Sequence, residues 1–164
     1  MADGKRAPAR RSSGQQESHR VRVNGASAST EKSGSVAKAE TLRVLVVDDV
    51  EDNRDLYATY FEHWGFIADQ ACDGEEALAK IAKRAPDVVI IDLTMPNMDG
   101  WEATRLIKSN PRTAHVIVVV VTAAASTTHL DRARAAGADE ICMKPCLPKA
   151  LLEIVQARLS RRQR

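Results

Sequence analysis

The sequence predicts an α/β fold, a parallel sheet of five strands flanked by five helices, and three observations carry that prediction. Short β-branched apolar runs alternate with stretches patterned at helical spacing over residues 41–160. Strands so alternated must run parallel, because each right-handed crossover needs a helix to cover the sheet. Finally, four of the five runs end on a polar side chain, as strands do when a site sits at their carboxyl ends.

The first strand is Leu42 to Val47, apolar enough to be buried on both faces, and it ends at Asp48-Asp49. Asp52 to Trp64 predicts a helix, with Leu56, Tyr60, Phe61 and Trp64 as its apolar stripe and Gly65 as its stop. Phe66 to Ala71 reads as a weaker strand. Asp73-Gly74-Glu75-Glu76 opens a helix that runs to about Arg84. Asp87 to Asp92 (DVVIID) is a third buried strand with a carboxylate at its end, and Met95 to Gly100 is a loop. Trp101 to Lys108 is helical, with Ala103, Leu106 and Ile107 inward. Val116 to Thr122 is a strand ending on a hydroxyl, and a helix from about Thr127 to Ala136 closes at Gly137. Glu140 to Lys144 is the last strand. Leu147 to about Leu159 is the last helix, with Leu151, Leu152, Val155 and Leu159 on one stripe.

Charge divides the chain into three parts. Of 24 Lys+Arg and 22 Asp+Glu, residues 1–40 hold 8 and 4, residues 41–157 hold 12 and 18, and residues 158–164 hold 4 and 0. Residues 1–40 lack Leu, Ile, Phe, Trp and Tyr, so they have little apolar surface to offset chain entropy and are expected to form a disordered basic tail. The same stretch lacks an apolar signal core, and its acidic residues count against a transit peptide. Residues 41–160 form the folded domain, and residues 161–164 a basic C-terminal end. The longest apolar run, Val116 to Ala125, is about half of what a membrane span needs. Cys72, Cys142 and Cys146 make neither a disulfide framework nor a zinc-ligand pattern, so reduced thiols and a cytoplasmic location are expected. Cys146 reads as a small buried hydrophobe.

The strand ends gather Asp48, Asp49, Asp92, Thr122 and Lys144 at one edge of the sheet. Two unit charges about 4 Å apart at an effective dielectric near 20 repel by roughly 4 kcal/mol, so three carboxylates there require neutralisation. Lys144 answers one, and a hard divalent cation such as magnesium answers the others, since Mg²⁺ binds through one or two carboxylates, waters and a phosphate oxygen.

Asp48-Asp49, DLTMPNMDG from Asp92 to Gly100, VVVTA from Val119 to Ala123 and GADEICMKP from Gly137 to Pro145 resemble, in order and spacing, the receiver domain of two-component response regulators, the CheY-like family. The resemblance implies the flavodoxin-like strand order 2-1-3-4-5. It implies that Asp92 is the phosphoacceptor, giving 4-aspartylphosphate. Asp49, Asp92 and the backbone carbonyl of Thr94 would ligate Mg²⁺, Asp48 helping through water. Lys144 and the Thr122 hydroxyl would hold phosphoryl oxygens, and Met95 and Met98 would be loop packing. Ile141 departs from the family, which commonly places Tyr or Phe there as the ring that turns with the threonine.

The implied function is that of a single-domain response regulator rather than a turnover enzyme. It would be phosphorylated by a sensor histidine kinase or a histidine phosphotransfer protein, and read by a target protein on the face of the fourth helix, fifth strand and fifth helix. A relay intermediate that passes phosphate to a histidine phosphotransfer protein is the alternative. A haloacid-dehalogenase-like phosphatase would need an acid where Thr94 stands. Nucleic-acid binding through the basic tails is disfavoured, since net +4 without aromatics is thin beside a typical basic arm.

Overall fold

The computed structural model describes residues 41–124 and 126–162. In chain order the elements are β1 (Arg43–Val47), α1 (Glu51–His63), β2 (Ile67–Ala71), α2 (Gly74–Lys83), β3 (Val88–Ile91), α3 (Gly100–Ser109), β4 (Ile117–Thr122), α4 (Thr127–Ala135), β5 (Glu140–Met143) and α5 (Pro148–Arg162). The strands form one parallel sheet in the order β2-β1-β3-β4-β5, as the resemblance implied. The chain leaves β1 to one side for β2 and returns to the other for β3. That reversal opens a crevice at the carboxyl ends of β1 and β3. The tail expected over residues 1–40 lies outside the described residues. α5 continues to Arg162, past the expected end of the domain at 160.

Period-two alternation divides the sheet's side chains between two cores. Val44 and Val46 of β1, Val88 and Ile90 of β3 and Val119 and Val121 of β4 pack with Tyr57 and Phe61 of α1 and with Leu151, Leu152, Val155 and Leu159 of α5. Leu45, Val47, Val89, Ile91, Val118 and Val120 pack on the other face with Ala77 and Ile81 of α2 and Ala103 and Ile107 of α3. Each fully buried aliphatic or aromatic side chain contributes about 1.5–3 kcal/mol, so both faces have ample drive.

The stripe on α1 differs from expectation. Leu56 and Trp64 are 53% and 54% exposed, and the buried residues are Tyr57, Ala58 and Phe61. At about 100° per residue, facing Tyr57 to the sheet turns Leu56 outward. The large apolar residues of this helix lie on two faces, and Tyr57 wins the inner one because its hydroxyl finds a buried carbonyl. In α3, Leu106 is only half-buried and Thr104 takes its place beside Ala103 and Ile107. The Thr104 hydroxyl is buried without a hydrogen-bond partner.

The starts of α2, α3 and α4 are fixed by side-chain caps. Asp73 Oδ1 accepts the Glu76 N–H at 2.8 Å, and Glu76 reaches back to accept the Cys72 N–H at 2.8 Å, a reciprocal cap on α2. Asp99 caps α3 through the Glu102 N–H at 2.8 Å. Gly100 follows because a Cβ there would lie 2.0 Å from the Asp92 carbonyl oxygen and 2.8 Å from the Leu93 Cα. Only glycine lets the loop after β3 close onto the strand it has just left.

The cysteines correct the sequence reading. Cys142 and Cys146 are joined by a disulfide, their Cα atoms 6.2 Å apart, while Cys72 is free and exposed. Neither a framework nor a metal pattern was present to suggest it. The chain doubles back between β5 and α5, and this brings two residues four positions apart within bridging distance. Cys146 is buried, as expected.

Candidate functional site

The residues singled out at the strand ends, Asp48, Asp49, Asp92, Thr122 and Lys144, all lie at the carboxyl lip of the sheet. The Lys144 N–H donates to the Thr122 carbonyl at 2.9 Å, continuing the β4–β5 ladder one step past β5. From that anchor its ammonium donates to Asp48 Oδ2 at 2.8 Å and to Asp92 Oδ2 at 2.5 Å. It therefore answers two carboxylates, where the sequence reading allotted it one. Burial on its own would lower the lysine's pKa. The hydrogen bonds and negative charges of Asp48 and Asp92 outweigh burial and hold it raised, so the ammonium stays protonated at neutral pH.

Asp48 is 3% exposed and fully engaged. Its Oδ1 accepts the Val50 N–H at 2.9 Å, the Asn53 amide donates to both oxygens at 3.1 Å, and the Arg54 guanidinium donates to its backbone carbonyl at 2.7 Å. Asp92, also buried, accepts the Thr94 N–H on Oδ1 at 3.1 Å. Asp49 is exposed and, among the described residues, has no hydrogen-bond or ion-pair partner. One carboxylate oxygen from each of Asp48, Asp49 and Asp92 lies within 4.8 Å of the other two. Three hard oxygen donors of this kind, one with its lone pairs uncommitted, suit a small divalent cation. Asp49 and Asp92 could hold it, since Asp48 carries the most donors of the three, from Lys144, Val50 and Asn53.

Thr122 is wholly buried, and its hydroxyl accepts the Ala124 N–H at 3.1 Å, so one hydroxyl ties the end of β4 to the loop before α4. Thr94 is exposed beside Asp92. Ile141 pairs with Val120 in the sheet and packs, half-buried, against the α2–α3 core together with Met95, Met98 and Trp101. The two methionines are thus packing residues, as expected.

Three residues of the site escaped the sequence reading, Asn53, Arg54 and Tyr57. Asn53 supports Asp48, and the Tyr57 hydroxyl donates to the Cys146 carbonyl at 2.9 Å, coupling α1 to the loop after Lys144. Burial raises the Tyr57 pKa; Lys144 opposes that rise, and Asp48 and Asp92 add to it. Asn53, Arg54 and Tyr57 share one helical spacing after Asp48-Asp49. That polar register along α1 was the available signal, and the larger apolar residues masked it.

Comparison with known proteins agrees with this geometry. Residues 44–156 match the family described as the response regulator receiver domain. Response regulator PleD of Caulobacter vibrioides is 37% identical over 103 residues, covering 63% of this chain and 23% of PleD. DNA-binding response regulator MtrA of Mycolicibacterium smegmatis is 33% identical over 121 residues, 74% of this chain and 52% of MtrA. The chain thus spans about a quarter and about half of these two relatives. Among solved structures, chemotaxis response regulator CheY4 of Vibrio cholerae superposes with a TM-score of 0.67 at 31% identity, over 71% of this chain and 98% of that one.

Proposed function

The chain belongs to the response regulator receiver family, and on that premise we propose that Asp92 accepts a phosphoryl group from a phosphohistidine and that the change is read by a partner protein. One observation carries the reading: a single ammonium bridges Asp48 and Asp92 while Asp49, without a partner among the described residues, completes a three-carboxylate cluster at the strand ends. An Asp92 oxygen attacks phosphorus, an O–P bond forms as the N–P bond of the donor breaks, and the electron pair of that bond stays on the imidazole. Asp49 and Asp92 would hold Mg²⁺, which would supply charge stabilisation for the transferring oxygens. Lys144 exchanges its contact with the Asp92 carboxylate for one with a phosphoryl oxygen, keeping the developing charge paired. Thr122 releases the Ala124 N–H and turns its hydroxyl to the new acceptor, freeing the loop before α4. The product is a signalling state and the protein does not turn over a substrate.

Exposed apolar side chains near the crevice suit a phosphodonor histidine protein: Val50 (49% exposed) just before α1, Leu56 (53%) on it, and Leu147 (70%) after β5. The Tyr57–Cys146 hydrogen bond sets their two segments side by side. The changed face read by the target is α4–β5–α5, next to the loop that Thr122 holds. No helix among the described residues is long and apolar enough to cross a membrane.

The test is incubation with acetyl phosphate and Mg²⁺ followed by intact mass. The expected result is a gain of one phosphoryl group that Asp92→Asn and Asp49→Asn abolish and Thr122→Ala only slows. Absence of an Asp92-dependent gain refutes the proposal.

A further inference from the structure

The disulfide lies across the most sensitive part of the site. Cys142 sits in β5 opposite Val121, and Cys146 lies in the turn before α5, so the bridge closes a loop holding Met143, Lys144 and Pro145. The loop is gripped at three further points: the Lys144 N–H on the Thr122 carbonyl, the Lys144 ammonium on Asp48 and Asp92, and the Cys146 carbonyl on the Tyr57 hydroxyl. Cys146 is buried at 7% exposure within the α1–α5 core, whereas Cys142 is half-buried and the more open of the two. A bridge whose only chemical cargo is the lysine that pairs two site carboxylates is well placed to regulate that lysine.

We propose that Cys142 and Cys146 are a redox modification site, a reversible dithiol–disulfide pair whose oxidised form fixes the backbone of Lys144 against Asp48 and Asp92. The oxidant class is a low-molecular-weight disulfide such as oxidised glutathione. The Cys142 thiolate attacks one sulfur of that disulfide, a mixed disulfide forms and one glutathione thiolate leaves. The Cys146 thiolate then attacks the Cys142 sulfur and expels the second. Two protein thiols are oxidised, one glutathione disulfide is reduced to two thiols, and the two protons lost by the cysteines pass to the departing thiolates.

The link to phosphoryl transfer rests on the phosphoacceptor reading above; the redox chemistry itself does not. With the loop bridged, Lys144 is preorganised for the transferring oxygens. With the loop open, its backbone is held by hydrogen bonds alone, and a small misplacement of a positioned group is costly in rate.

The experiment uses the full chain with Cys72→Ser, so that the exposed third thiol takes no part, in glutathione buffers stepped from reducing to oxidising. Intact mass is expected to fall by two hydrogens across the series and to recover on return to reducing buffer. Amide hydrogen exchange over residues 143–147 is expected to slow in the bridged form. Asp92 labelling by acetyl phosphate is expected to be about threefold to tenfold faster oxidised than reduced. Cys142→Ala, which leaves the buried Cys146 in place, is expected to hold the slower rate in every buffer. The proposal is overturned if no bridge forms, if a bridge forms but the folded protein cannot be reduced, or if bridging changes neither loop exchange nor labelling. Bridging that slows loop exchange without any Asp92 labelling supports the redox site and refutes the phosphoacceptor reading instead.

Discussion

Replacing Asp49 by Asn is expected to make the metal-free protein more stable, the reverse of what most substitutions do. Asp49, Asp48 and Asp92 each place an oxygen within 4.8 Å of the others, and among the described residues Lys144 is their one ion-pair partner. At 4.8 Å a pair of like charges costs about 3.5 kcal/mol at an effective dielectric of 20 and about 0.9 kcal/mol in bulk water. Asp49 is exposed, so the lower figure governs each of its two repulsions, and the Lys144 charge cancels part of them. A net gain of about 1 kcal/mol remains, a rise of roughly 3–5 °C in Tm for a domain of this size. No compensating loss is expected, since Asp49 has no hydrogen-bond or ion-pair partner among the described residues. Magnesium should reverse the order. A ligand at a hundred times its Kd stabilises by about 2.7 kcal/mol, a gain open to the wild-type chain and lost with Asp49. Thermal melts of both proteins in chelator and in saturating Mg²⁺ should therefore cross. If Asp49→Asn melts lower in chelator, or gains as much from Mg²⁺ as the wild type does, the charge argument fails.

Three further outcomes follow from particular contacts. Gly100→Ala should unfold the loop after β3 or the whole domain, at a cost above about 3 kcal/mol, because its methyl would sit 2.0 Å from the Asp92 carbonyl oxygen; urea denaturation reads this directly. Tyr57→Phe should cost about 1 kcal/mol, leaving the Cys146 carbonyl without its donor, and should remove a phenol that ionises above the ordinary tyrosine value in ultraviolet titration. Glu76 is lowered from 4.5 to about 2, first by Lys80 and then by the Cys72 N–H, so its support for the α2 cap is present above pH 4.5 and fades as pH falls toward 2. Its side chain is 40% exposed, which limits that support to under about 1 kcal/mol; the stability gap between wild type and Glu76→Gln should close over that pH range in urea melts.

The sheet was legible because β1, β3 and β4 are buried on both faces and so read as unbroken, largely β-branched runs. The site was legible for the same reason: Asp48, Asp92 and Thr122 are polar interruptions at the ends of such runs. Features that depend on a side chain's angle or on loop closure were not. Leu56 and Tyr57 are adjacent, and only the sheet's position decides which one faces in. The Cys142–Cys146 bridge depends on how the chain turns after β5, which no spacing rule encodes. Gly100 was visible as part of a loop, but the contact that forbids any side chain there is with a backbone atom of Asp92.

The alternation that sends neighbouring strand residues to opposite faces gives the molecule two interiors that share only a wall. A change of packing under α1 and α5 has to cross a layer of backbone hydrogen bonds to be felt under α2 and α3. At the carboxyl lip that partition ends: Tyr57 and Cys146 belong to one interior, Met98 and Ile141 to the other, and Asp48, Asp92 and Lys144 lie at their junction. Each interior can accumulate substitutions on its own account, and the lip is where two otherwise separate histories of change must remain compatible.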